Sequence, residues 1–548
     1  MTPGGRSADA TNPRAFSLKG VPGGPAVLPG NPSTGVQVGA YASFDTVTTR
    51  TVVVRLGISF TSLAEARRNL ALESLRRPFD RLRAAARQQW RAELGKVSVS
   101  GGSPRLRSLF YTALYHALIE PSTLSDADGS YPGMDGRVHR AGDAVQYTDI
   151  SGWDVYRTQV PLLAMLEPRR AADLATSLVR DARQSGCLPR WPYADQQTNV
   201  MTGDPSDPII AAIYAFGARE FDAQAALGWM VAGATRPCHT QNGDYTEREA
   251  LADYLRLGYI PQEQDTNAVG HTVGSRQLAW GAAATTLEDA VADSAVSGLA
   301  RRLGRPAIAA RFARRGENWQ RLFDPRSGYV RPRLRSGAWL APFAPNGQTG
   351  FVEGNAVQYT WLVPQDPRRL FALMGGAGVA RRRLDRFFDR LNAGPDRPYA
   401  YLGNEPTLAS PWLYDSLGAP ARTSAVVRRA LLGLYSPTPG GMPGNDDGGT
   451  MSAWWVLGAI GLYPMVPGTD LLAINAPLFA RAIVNLPCGR LVIDAPGTSP
   501  ARPYIQDATL DGRRLRSSRI HFDPLITGVH RLKYSIGANA RSAWGRTG

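Results

Sequence analysis

From about residue 105 to about residue 461 the chain repeats one pattern: apolar residues at helical spacing, then a loop rich in glycine, proline, aspartate and aromatics. Leu106, Phe110, Ala113, Leu114, Ala117 and Leu118 set the period within 105–119, and such a stripe buries one face of a helix. The pattern recurs over 160–185, 207–230, 246–256, 284–303, 305–323, 354–362, 367–391, 422–435 and 452–461. Paired helices with functional loops at one end predict an (α/α)6 toroid.

Outside that region the period changes. Past Pro467, short β-like runs follow at 471–475, 482–485, 490–493, 504–510 and 531–536, predicting a small β-domain. Ahead of the helices, the β-branched residues from Thr46 to Leu56 read as one or two strands. A lone pair of strands is not stable by itself, so this segment reads as the tail end of a β-sandwich. Ser62-Leu63-Ala64-Glu65 is a capping box opening a long helix to about Leu94. Residues 1–38, rich in Gly, Pro, Ser and Asn, are expected to be mobile or loosely attached. At 548 residues the chain exceeds one ordinary core. The fold class expected is α+β and multidomain: 1–60 a disordered tail and sandwich remnant, 61–100 a helical linker, 101–465 the helical catalytic domain, and 466–548 a β-rich domain.

Several function classes are excluded at this level. The net charge of +16 would suit a nucleic-acid partner, but the basic residues are almost all arginines scattered over helix faces, as in Arg67-Arg68 and Arg381-Arg382-Arg383. No nucleic-acid partner is expected. The most apolar stretch, 453–466, is interrupted by Gly458, Gly461 and Pro464, so no membrane span is expected. Cys187, Cys238 and Cys488 have no metal-ligand spacing and allow at most one disulfide. The six histidines show no HExxH or paired spacing, which argues against zinc. No secretory leader is visible after Met1.

What remains is carboxylates on aromatic-rich loops. Gly444-Asn445-Asp446-Asp447-Gly448-Gly449-Thr450 sets two acids in a tight turn before the apolar run Ala453–Ile460, which reads as a buried helix capped by Ser452 or Thr450. A carboxylate there would be kept ionised by the helix N-terminus and would suit a general base, a cation ligand or a simple cap. Ser151-Gly152-Trp153-Asp154-Val155-Tyr156-Arg157 places an aromatic beside a carboxylate and a guanidinium, suited to a sugar; the same residues could be core and a helical ion pair. In Phe351-Val352-Glu353-Gly354-Asn355, partial burial of Glu353 would raise its pKa as a general acid requires, or Glu353 could cap a helix. Gly403-Asn404-Glu405-Pro406 adds a further acid. An acid and a base flanking one bond are the minimum equipment for glycoside hydrolysis.

At these residues the chain resembles glycoside hydrolase family 92, the calcium-dependent, inverting exo-α-mannosidases. The similarity runs from about Val53 to the C-terminus through Leu109–His116, Trp153–Arg157, Met201–Asp204, Thr286–Glu288, Val352–Asn355, Gly403–Pro406 and Gly444–Trp454. The resemblance implies that Glu353 is the general acid and Asp447 the base, supported by Asn445 or Asp446. It implies that Trp153, Asp154, Arg157, Asn404 and Glu405 surround the mannose, and that Ca²⁺ is held around Glu405, Asn445 and Asp447. The implied substrate is a mannose-containing oligosaccharide or glycoprotein glycan, cut at an α-1,2 linkage, in an extracellular or periplasmic setting. Thr450 stands where the family has Gln, and Thr407-Leu408-Ala409 where it has histidines; these departures bear on the aglycone subsite more than on acid and base. The family's N-terminal β-sandwich is present only as its last strands, implying truncation. The alternatives are a catalytically weak carbohydrate-binding remnant and another (α/α)6 glycosidase.

Overall fold

From Ala453 onward the helix Thr450–Ile460 is apolar around its whole circumference, and all of its residues are buried. That is the composition of a helix surrounded by protein. It packs against helices Pro104–Ala117, Gln159–Leu166 and Pro420–Gly433. The indole N–H groups of Trp454 and Trp455 donate to the carbonyls of Leu408 and Leu431, both at 3.0 Å. This computed structural model describes residue 47 and residues 50–240, 245–265 and 280–546. The expectations for residues 1–38, for Thr46, Thr48 and Thr49, and for His271 lie outside the described residues.

The other helices follow in chains of neighbours. Gln159–Leu166 packs on Pro168–Ser185 and on Ser206–Ala215, and Ser206–Ala215 packs on Ala282–Arg302, which carries Pro306–Arg315. The stretch 160–185, read as one helix, is two, because Pro168 starts a new helix and cannot continue the old one. Likewise 367–391 divides into Pro367–Leu373 and Ala377–Phe387 at Gly375-Gly376.

The strands after Pro467 form at the expected runs, and some of them alternate in burial. In Arg481–Leu486, for instance, Ala482, Val484 and Leu486 are buried. The larger sheet has the order Val97–Ser100, Arg481–Leu486, Cys488–Asp494, Thr527–Gly537, Tyr504–Leu510, Arg513–Arg514. Its first strand precedes all the helices of the 105–461 region and pairs antiparallel with Arg481–Leu486, Val97 opposite Val484. A smaller sheet joins Leu462–Pro464, Leu471–Ile474 and Arg519–His521. The helices and the larger sheet share one apolar core: Phe110 stands edge-on to Phe479 at 5.4 Å and is tilted against Trp455 at 6.1 Å. The architecture is therefore α+β.

Two N-terminal expectations fail. Residues 50–60 form no strand, and their apolar side chains point outward, Val54 being 72% and Leu56 80% exposed. No partner strand exists for them among the described residues. The helix opened by Ser62, whose hydroxyl accepts from the Glu65 N–H at 3.1 Å, stops at Leu70. A π-helical turn Ala71–Leu75 follows, and Pro78 begins a second helix, Phe79–Leu94.

Candidate active site

Four loops, each just ahead of a helical turn, open on one cavity of about 880 Å³. They bring Trp153, Asp154, Glu353, Asn404, Glu405 and Asp447 together, with Asn445 at the same wall. Glycine explains how two of the loops meet. A Cβ on Gly444 would lie 2.0 Å from the Gly403 carbonyl oxygen, and one on Gly403 would lie 2.4 Å from the Pro443 carbonyl oxygen. The Gly-Asn-Glu-Pro and Gly-Asn-Asp-Asp turns therefore pack backbone to backbone, as only glycine permits.

Glu353 and Asp447 share a feature that sequence patterns do not reveal. Both are non-glycine residues in the left-handed region, with φ of 49° and 46°. Such a conformation costs on the order of 1–3 kcal/mol and is found where a site demands a particular side-chain direction. Glu353 is exposed toward the cavity, yet the surrounding wall desolvates its carboxyl and raises its pKa. The Asn404 amide donates to the Glu353 carbonyl oxygen at 3.1 Å and fixes this turn to the next loop. Glu353 does not cap the following helix: Asn355 does, accepting from the Gln358 N–H at 3.2 Å.

Asp447 departs from expectation. Burial, then Glu353, then Asp446 push its pKa up to about 6, so it is not held ionised by the helix N-terminus. That terminus is taken by its neighbour. Asp446 accepts from the Ser452 N–H at 2.8 Å and the Ser452 hydroxyl at 2.9 Å, while the cap position belongs to Gly449, and Thr450 and Ser452 lie within the helix. Asp446 is not among the residues that line the cavity, and it lies 3.7 Å from His116 Nδ1. Thr407 and Thr450 are fully buried beneath the loops and do not line the cavity, so the departures there act, if at all, through packing.

Asp154, Glu405 and Asp447 each place a carboxylate oxygen within 4.8 Å of the others. Burial first, and then their mutual repulsion, raise the pKa values of Asp154 and Glu405 well above the carboxylate range. Among the described residues, neither carboxylate oxygen of Glu405 has a hydrogen-bond partner. Three converging acids, one of them with orphaned buried oxygens, fit a hard cation that prefers oxygen ligands, as Ca²⁺ does. A thiolate- or imidazole-preferring ion is not matched by this donor set.

Arg157 was expected beside the sugar or paired with Asp154. Instead it is buried behind Trp153. Its guanidinium donates to Glu288 at 2.7 Å and to the Trp153 carbonyl at 3.0 Å, and it lies over the Trp153 and Tyr156 rings. Glu288 also accepts from the Trp153 indole at 2.9 Å and the Tyr156 hydroxyl at 2.7 Å. One buried carboxylate thereby fixes the aromatic floor of the cavity. Its position in Thr286-Leu287-Glu288 gave no sign of this role, since its three donors lie more than 130 residues away. Glu288→Gln should lower unfolding stability by about 3 kcal/mol, because it leaves Arg157 buried without its counter-charge. Glu288→Asp should lose less, and urea denaturation of the two variants checks the order.

The sequence model of the glycosyl hydrolase family 92 catalytic domain matches residues 65–538. An uncharacterized secreted glycosidase of Arthroderma benhamiae is 24% identical over 550 residues, covering 93% of this chain and 64% of that protein. A family GH92 α-mannosidase from Bacteroides thetaiotaomicron superposes with a TM-score of 0.80 at 28% identity, over 88% of this chain and 62% of the other. A GH92 inverting mannosidase from Bacteroides thetaiotaomicron VPI-5482 gives a TM-score of 0.80 at 28% identity, over 89% of this chain and 67% of the other. The chain thus spans less than two thirds of the length of the first two proteins.

Proposed function

The chain belongs to glycosyl hydrolase family 92, and we propose that it is a Ca²⁺-dependent, inverting exo-α-mannosidase that removes terminal mannose, α-1,2-linked, from a glycan. The observation that carries this reading is the pairing of Glu353 and Asp447 on one cavity, both in left-handed backbone, with Asp447 itself part of an oxygen-only triad. A solved relative, a GH92 α-mannosidase in complex with mannoimidazole, is consistent with a mannose-shaped subsite. We read residues 101–465 as the (α/α)6 catalytic domain.

In this mechanism Trp153 floors the mannose, and Asp154, Asn404 and Glu405 meet its hydroxyls. Glu353 donates its proton to the glycosidic oxygen as the C1–O bond breaks. Asp447 takes a proton from the water that attacks C1 from the opposite face, and the product is β-mannose. Inversion calls for about 6.5–9.5 Å between the two carboxyls, room for that water. Asp154, Glu405 and Asp447, with Asn445, would hold the Ca²⁺. When bound, the ion supplies positive charge and coordination sites for neighbouring sugar hydroxyls. Work outside the cytoplasm is supported by the Cys187–Cys238 disulfide and by the secreted fungal relative.

Anomer-resolved NMR on linkage-defined mannobioses tests the reading. β-Mannose should appear first, fastest from the α-1,2 isomer. Exhaustive chelation should reduce turnover by about tenfold or more, Ca²⁺ should restore it, and Zn²⁺ should not. First appearance of α-mannose, or full activity after chelation, would overturn it.

A further inference from the structure

The cavity is ordered by depth. Trp153, Asp154, Asn404 and Glu405 are buried at its floor, whereas Trp191, Trp280 and Tyr401 line it as partly exposed residues. A terminal mannose engaged by the buried acids would leave the next sugar of the chain at the rim. We propose that Trp191 is the residue that recognises that next sugar, stacking its indole on the C–H face of the unit that leaves. This rests on the mannosidase reading of the cavity, and it makes the preferred substrate an oligosaccharide and not a simple mannoside.

The surroundings of Trp191 are built to hold it still. It precedes Pro192, which confines its backbone to extended conformations. Its N–H donates to the Gln197 side chain at 3.2 Å, and its carbonyl accepts from the Thr198 N–H at 3.2 Å and the Thr198 hydroxyl at 3.0 Å. The residue before it, Arg190, is 1% exposed, and its guanidinium is fully engaged. It bonds both Glu249 oxygens at 2.8 and 2.6 Å, and the carbonyls of Gly203, Glu247 and Met201 at 2.9, 3.1 and 3.2 Å. Three residues earlier still, Cys187 is joined to Cys238, and the Leu188 N–H donates to Glu247 at 3.0 Å. These anchors set the Arg190 carbonyl against Gly152, where a Cβ would come within 2.1 Å. The Trp191 backbone is therefore locked beside the turn that carries Trp153 and Asp154. Trp191 packs in part against the apolar core and otherwise lines the cavity, and no hydrogen bond from its indole N–H occurs among the described residues. A large apolar face with a polar edge is what a sugar ring stacks on, and a side chain on a locked backbone loses less freedom on binding.

The test compares Trp191→Ala and Trp191→Phe on the preferred mannobiose and on α-mannosyl fluoride, which has no second sugar. Trp191→Ala should lower kcat/KM on mannobiose by about tenfold, chiefly through KM, and Trp191→Phe by no more than about threefold. Both variants should match the wild type on the fluoride. An equal loss on both substrates, or no loss on mannobiose, would overturn the assignment. In parallel, calorimetry in a Glu353→Gln background measures mannobiose against mannose. The tighter binding of the disaccharide should vanish with Trp191→Ala; if it persists, Trp191 does not contact the second sugar. A wild type that turns over neither substrate would count against the mannosidase reading, while the calorimetric comparison still decides the role of Trp191.

Discussion

Asp447→Asn should abolish turnover of every α-mannoside, whatever its leaving group, by about 10³-fold or more in kcat, because no leaving group substitutes for the activation of water. The variant should also be the more stable protein under one condition. In the calcium-free state Asp447 has its pKa raised from 3.8 to about 6 by burial and then by the charges of Glu353 and Asp446. A raised pKa means that the protonated form is favoured by folding. That contribution is complete below the unfolded value, and it is lost as pH rises through about 6. Above that pH the ionised group burdens the fold, and an asparagine does not. Urea denaturation in chelator should therefore show Asp447→Asn gaining on the wild type at pH 8, with the advantage gone at pH 4. Bound Ca²⁺ favours the ionised carboxylate, so the advantage should shrink when the ion is added, and the acid limb of kcat/KM should lie at or below pH 6. A variant that is inactive and also less stable at pH 8 would point to a structural role for Asp447.

The contrast between Asp446 and Asp447 shows how far the sequence reaches. Two adjacent acids ahead of an apolar helix announce that one of them meets the helix N-terminus, but not which. The turn decides it: the left-handed backbone at Asp447 swings its side chain into the cavity and leaves Asp446 to cap Ser452. The wholly buried helix Thr450–Ile460 was legible from Ala453 onward because nothing polar interrupts its circumference there. The strands after Pro467 were legible as short β-like runs, and in Arg481–Leu486 and the second half of Thr527–Gly537 burial alternates as a half-buried strand requires. Residues 50–60 carry the same β-branched signal yet form no strand, since strand formation depends on a partner that propensity does not specify. Glu288 and Arg157 lay beyond reach for a related reason. Their meaning is set by each other across 131 residues, and a buried ion pair leaves no periodic trace. The glycines of the two acidic turns could have been read as a pair, because each makes room for the other's backbone.

Glu353→Gln should separate the acid from the base through the leaving group. The carboxyl of Glu353 has its pKa raised by burial in the cavity wall, which keeps it protonated to higher pH and lets it give up a proton as the glycosidic bond breaks. Glutamine fills the same space but has no acidic proton. With a mannobiose, whose departing alkoxide is strongly basic, kcat should fall by about 10³-fold or more. With α-mannosyl fluoride or a dinitrophenyl α-mannoside the leaving group departs without protonation, so most of the rate should survive. The alkaline limb of the pH profile should vanish with the activated substrate, because that limb reports loss of the Glu353 proton. Comparing the fluoride to mannobiose ratio in Glu353→Gln with that in Asp447→Asn then assigns the roles. A high ratio in the first and an unchanged ratio in the second is the expected result. If the two variants, both folded by circular dichroism, lose the same factor on both substrates, neither carboxyl acts as the proton donor to the leaving oxygen. If Asp447→Asn shows the high ratio instead, the acid and the base exchange places.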